Sequence, residues 1–143
     1  MTVKQALKQK NRIVKEINEN FEILKKHNSI DQDNTRRYSM SDTIKNINSL
    51  TNELVVLKAK IHKAKLPVYD KIFRLSELKS QTTKIQSIPT EAGKTVQAYG
   101  SVITYKNSEL SVVQINNIIK EYQKTIDALQ DELDIHNLTT EIE

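Results

Sequence analysis

Two stretches hold the residue types that could do chemistry. Arg36-Arg37-Tyr38 sits between two helix-like segments, and Lys94, Tyr99, Tyr105 and Lys106 sit in a later, β-prone stretch. A guanidinium offers a planar fork of N–H donors that matches a phosphate two bonds at a time, and a tyrosine ring stacks on a nucleobase. Together these seven are the candidate ligand-binding residues for a small anion, such as a nucleotide or a cyclic nucleotide signal. The structural use of the same residues is the stronger one. Four of the five tyrosines (Tyr38, Tyr69, Tyr99 and Tyr105) fall in loops or connectors, where amphipathic rings plug the ends of a helical bundle.

The remaining motifs fail on their own chemistry. Gly93-Lys94-Thr95 has the ending of a phosphate-binding P-loop, but Ile88 stands where the earlier glycine is needed. A helix-like segment precedes it and a β-prone one follows, the reverse of the required order. Asp31, Asp33 and Thr35 mimic a calcium loop, yet Arg36 replaces the glycine of its sharp turn and Asp42 stands where a bidentate glutamate belongs. His27, His62 and His136 are far apart and form no metal-binding pair on a helix. His136 reads as the polar end of an apolar seam. The stripe Asp127, Asp131 and Asp134 reads as a solvated face. No serine has the Gly-x-Ser-x-Gly surroundings of a hydrolase nucleophile. The absence of cysteine removes disulfides, thiolate metal sites and a cysteine nucleophile together. The expectation is a non-enzymatic protein with no catalytic residue, no metal and no cofactor.

The elements that must position these loops are helices. Ile47, Leu50, Leu54, Leu57, Ile61 and Ala64 recur at alternating intervals of three and four, and so do Ile115, Ile119, Tyr122, Ile126, Leu129, Leu133 and His136. These are narrow coiled-coil seams rather than the wider stripe of a self-contained globular helix. The spacing predicts helices over residues 2–27, 41–65, 71–88 and 111–136, with a β-prone loop over 90–107 that is either a hairpin or an extended flap. In the first helix Val3, Leu7, Val14, Ile17, Phe21 and Leu24 follow the rhythm, broken by Lys10 and widened by Ile13 and Ile23. Ser39 or Ser41 caps the second helix, and Ser111 with Gln114 forms a capping box on the fourth. Pro67 and Pro89 end the second and third, and residues 137–143 form a tail. The fold class is therefore mainly all-α: one domain over 1–143, built from coiled-coil-like hairpins and oligomeric.

Composition supports that class. Hydrophobic residues make up 37%, aromatics 5% and charged residues 28%, a thin core whose apolar positions are nonetheless periodic. A thin core on long helices points to subunits that complete one another, so the first expected partner is a second copy of the chain. The net charge of +4 comes from 22 basic and 18 acidic residues, mostly interleaved. That balance disfavours nucleic-acid binding, whose one route would be the basic first helix with Lys4, Lys8, Lys10, Arg12 and Lys15. The acidic end, with Asp127, Asp131, Glu132 and Asp134, would complement that basic start if the two helices packed antiparallel. The start shows no leader pattern and no stretch is apolar enough for a membrane span, so a cytoplasmic protein without a membrane partner is expected.

The start Val3-Lys4-Gln5-Ala6-Leu7, the stretch from Asn52-Glu53-Leu54 to Lys60-Ile61-His62-Lys63, the segment Leu75-Ser76-Glu77-Leu78 and the ending Ile135-His136-Asn137-Leu138-Thr139-Thr140-Glu141-Ile142 resemble the DIP1984 (septicolysin-like) family of small bacterial helical proteins. Leu138 stands where that family has tryptophan, and Ser80, Gln81 and Thr82 stand in place of its acid-Arg-Asp cluster. The resemblance implies an α-helical homo-oligomer without established enzymatic activity. Small helical oligomers encoded by phages that sequester signalling nucleotides share the same outline at the level of fold.

Overall fold

The computed structural model describes residues 1–96 and 103–143 and is mainly α-helical, with one small two-stranded sheet. In chain order the elements are α1 (Val3–His27), α2 (Met40–Lys65), a 3-10 turn (Leu66–Val68), α3 (Tyr69–Gln86), β1 (Gly93–Val96), β2 (Ile103–Lys106) and α4 (Val112–Thr139). They divide into two compact units, Met1–Pro67 with Asp134–Glu143, and Val68–Leu133. The last turns of α4 belong to the first unit.

In the first unit α1 and α2 form an antiparallel hairpin. Ala6, Ile13, Leu57 and Ile61 make its buried cluster, with Leu7, Ile17, Leu50, Leu54 and Ile142 packed around it. Every member of the α2 seam is buried or half-buried. The α2 seam thus packs against α1 within one chain. The α1 stripe is corrected. Ala6 and Ile13 are buried, whereas Val14 and Phe21 stand 37% and 45% exposed. Two heptad rows flank Val3, Lys10, Ile17 and Leu24. The row with Ala6 and Ile13 faces α2, and the row Leu7, Val14 and Phe21 is left at the rim.

Local signals start the helices. Thr2 and Gln5 form a reciprocal capping box on α1, and the Asp42 N–H donates to Ser39 Oγ at the start of α2. Leu66 keeps helical dihedrals despite preceding Pro67, because a 3-10 turn accommodates a residue that has no N–H. As a result α3 starts at Tyr69, earlier than its periodicity predicts.

Residues 137–143 are not a free tail. The helix continues to Thr139, the Val3 N–H donates to Thr140 O at 2.9 Å, and the Ile142 N–H donates to Met1 O at 2.9 Å. Thr2 and Glu141 form an antiparallel bridge, and Ile142 packs on the hairpin core. His136 links the end of α2 to this segment. Its Nε2 lies 3.0 Å from Ala64 O, which requires a donating N–H there, and its Nδ1 lies 3.1 Å from Thr140 Oγ1.

Glu143 accepts a hydrogen bond from Lys63 Nζ at 2.9 Å, and that bond, together with the ammonium charge, holds its carboxyl below the usual carboxylate value. A lowered carboxyl favours the folded state above its unfolded pKa, and the contribution is lost as pH falls through the folded value. Both groups are exposed, so salt screens the effect. A carbon-detected NMR titration should show the Glu143 side chain titrating low, and Lys63→Ala should return it to the ordinary range.

In the second unit Val68 and Leu75 meet Ile126 and Leu133, with Ile72, Leu78 and Leu129 around them. Lys71 near the start of α3 pairs with Glu132 far along α4 at 2.8 Å, which fixes these helices as antiparallel. The capping box on α4 forms as its spacing predicts, from Gln114 N–H to Ser111 Oγ and from Ser111 N–H to Gln114 Oε1. Between the helices β1 and β2 pair antiparallel, with Gly93 opposite Lys106 and Val96 opposite Ile103. The hairpin-or-flap expectation for 90–107 is met by a paired ladder at its two ends, and residues 97–102 between them lie outside the described residues.

Candidate functional site

The loop over residues 28–39 returns to the end of α1 through a turn in which the Asn34 N–H donates to Asp31 O at 3.0 Å. Arg36 then reaches back to the helix terminus. Its Nη1 donates to His27 O at 2.6 Å and its Nη2 to Asn28 O at 2.9 Å. These carbonyls lie at the negative end of the helix, where they lack intrahelical donors. The fork that the sequence offers to a phosphate is here occupied by backbone, so Arg36 serves as a side-chain cap. Arg36→Ala should cost about 1 kcal/mol of stability in a denaturant titration, the worth of such bonds at an exposed site.

Tyr38 packs against the ring of His27, with centroids 4.9 Å apart and planes tilted by 55°. It is partly a plug and partly open to solvent. Arg37 is exposed and lines, with His27, Ile30, Asn34, Thr35 and Tyr38, a hollow of about 300 Å³. These are the residues of the first candidate stretch that remain open to a ligand.

The second stretch lies in the other unit. Gly93 opens β1 with φ of 90°, a conformation strained for any side chain, which explains a glycine here without phosphate chemistry. Lys94 pairs across the ladder with Tyr105, whose ring is 78% exposed. Lys106 Nζ is held by Glu91 Oε2 at 3.0 Å, so its charge is locally balanced. Tyr99 lies outside the described residues. The structure therefore brings Arg36, Arg37 and Tyr38 together, and separately Lys94, Tyr105 and Lys106.

The outer face of α1 was not singled out by sequence. An open groove of about 750 Å³ runs along it, past Val14, Lys15, Glu19, Glu22 and Ile23, and reaches His27 and Tyr38. It lies on the side of α1 opposite Ala6, Ile13 and Ile17. Lys15 sits 3.9 Å from Glu19, and Lys25 sits 3.3 Å from Glu22. Interleaved charges of this kind read as a solvated face, and only the groove marks it out. A smaller groove of about 550 Å³ is lined by Ile13, Val56, Leu57, Lys60 and Ile142 among others.

Among the described residues no three His, Asp or Glu side chains are grouped to hold a metal ion, and no helix is long and apolar enough to cross a membrane. Comparisons with protein-family models, with curated proteins and with solved structures find no match for the chain.

Proposed function

We propose that this chain is a non-enzymatic assembly protein that associates with further copies of itself. The observation that carries this reading is the apolar surface that the first unit leaves open after its seam is spent. Val14, Phe21, Ile44, Val55 and Val56 stand between 37% and 61% exposed, around a buried cluster of four residues. A helical hairpin buries one stripe per helix, and isolated helices draw most of their stability from packing. Exposed apolar residues on both helices of such a scaffold offer surface that further copies could cover. The resemblance to the DIP1984 family points the same way. Light scattering should return a mass of at least twice the 16.5 kDa of the chain. A single-chain mass from micromolar to millimolar concentration would remove the proposal.

A second reading is favoured by the hollow around Arg37 and Tyr38, which presents a free-facing guanidinium beside a ring held in place by His27. In that reading it captures a small anion such as a nucleotide. Calorimetric titration with cyclic nucleotides decides it: heat of binding that disappears in Arg37→Ala supports capture, and no heat with the wild type removes it.

A further inference from the structure

We propose that the cleft between the first turns of α1 and the last turns of α4 binds the phosphoryl group of a small phosphate monoester. The cleft holds about 430 Å³, and every residue that lines it belongs to the first unit. Helical spacing builds both walls. Lys4, Leu7, Lys8 and Asn11 stand at i, i+3, i+4 and i+7 on α1, and Asp134, Asn137 and Leu138 stand at i, i+3 and i+4 on α4. Each set therefore forms one face of its helix. The backbone bonds from Val3 to Thr140 and from Ile142 to Met1 hold the two helix ends beside each other.

The charges in this cleft are unbalanced. Among the described residues neither Lys4 nor Lys8 forms an ion pair, whereas Lys63 and Lys71 have carboxylates at 2.9 and 2.8 Å. The first turn of α1 contains no acidic residue, and Glu141 is already engaged by the Met1 ammonium. Asp134 sets one carboxylate on the wall against two ammonium groups. Asn137 is half-buried, and among the described residues neither its carboxamide nor that of Asn11 has a hydrogen-bond partner. The cleft thus offers two cations and two sets of amide N–H donors that the protein does not use itself.

These groups suit a compact dianion. An ammonium acts as a point charge without a preferred plane, so two of them one helical turn apart take separate oxygens of one tetrahedral group. A single carboxylate has one charge to share between them. Above about pH 6 a phosphate monoester carries two. The phosphoryl group fills only part of the space, and ligand pockets span roughly 300–1,000 Å³. Leu7 and Leu138 line the rest, and Leu138 is 51% exposed, so the organic body of the ester gains by covering it.

A two-dimensional proton–nitrogen NMR titration at low ionic strength tests the site, with phenyl phosphate, inorganic phosphate and benzoate as probes. Phenyl phosphate should shift the amides of residues 4–11 and 134–138. It should bind more tightly than phosphate, which lacks the ring, and than benzoate, which has the ring but one charge. Lys4→Ala combined with Lys8→Ala should weaken it about tenfold or more, since bonds to charged groups are lost. Asp134→Asn should strengthen it by removing a repulsion. Lys58→Ala combined with Lys120→Ala removes the same charge elsewhere and should leave binding unchanged. All five positions are exposed, so the hairpin core stays intact. Equal weakening by the two double variants would reduce the effect to general attraction by a basic protein and overturn the site. Benzoate binding as tightly as phenyl phosphate would overturn the phosphoryl assignment, and inorganic phosphate binding as tightly would overturn the ester. Absence of shifts at these residues with millimolar phenyl phosphate would remove the proposal altogether.

Discussion

Leu57→Ala should lower the unfolding free energy by about 2–5 kcal/mol, the range for deleting most of a buried leucine side chain. Leu57 is 8% exposed and shares its cluster with Ala6, Ile13 and Ile61. The neighbours that could close over the gap, Leu50 and Leu54, are on its own helix and already half-buried against α1. Collapse is therefore incomplete, and a cavity remains. Against a typical total of about 5–15 kcal/mol the loss is large, and urea denaturation followed by circular dichroism should show a lower midpoint with an unchanged slope. A cost below about 1 kcal/mol would mean that this cluster is not what holds the hairpin together.

Ala6→Leu should also destabilise, by about 1–3 kcal/mol, through the opposite defect. Ala6 is 0% exposed and clusters with Leu57 and Ile61 of α2. Alanine and leucine both favour helices, so the change isolates the steric term from the helical one. The extra carbons can be accommodated only by moving α1 away from Leu57 and Ile61. A stabilised Ala6→Leu protein in the same denaturation experiment would show that the two helices leave a gap at this level.

These two sites also show what could be read from the chain itself. The α2 and α4 seams are legible because large aliphatic residues occupy nearly every heptad position, and all of those positions are buried or half-buried. In α1 two rows compete. Leu7, Val14 and Phe21 carry more apolar surface, so periodicity favours them, but Ala6 and Ile13 face α2. Which row faces α2 is a property of the pair of helices rather than of either sequence. The C-terminal segment has the same difficulty. Asn137, Thr139 and Thr140 read as polar tail, and the backbone groups that fix the segment belong to Met1 and Val3, too distant along the chain to leave a local signal.

The candidate site was legible in part. A guanidinium fork fits two phosphate oxygens and two carbonyls at a helix end equally well, and the helix end is nearer in the case of Arg36. The Tyr38 ring is held by His27, in keeping with the plug expected of a loop tyrosine. The α1 groove escaped notice because Lys15, Glu19 and Glu22 are the interleaved charges of an ordinary solvated face, and only the surface shape marks it out.

The central claim is that the α2 seam packs against α1 within one chain. Nuclear Overhauser contacts in a mixture of isotope-labelled and unlabelled chains, filtered for those between subunits, test it directly. Contacts of Ala6 or Ile13 with Leu57 or Ile61 should be absent from that filtered spectrum and present in the unfiltered one. Filtered contacts between Ile13 and Leu57 would show the seam shared between subunits and contradict the account.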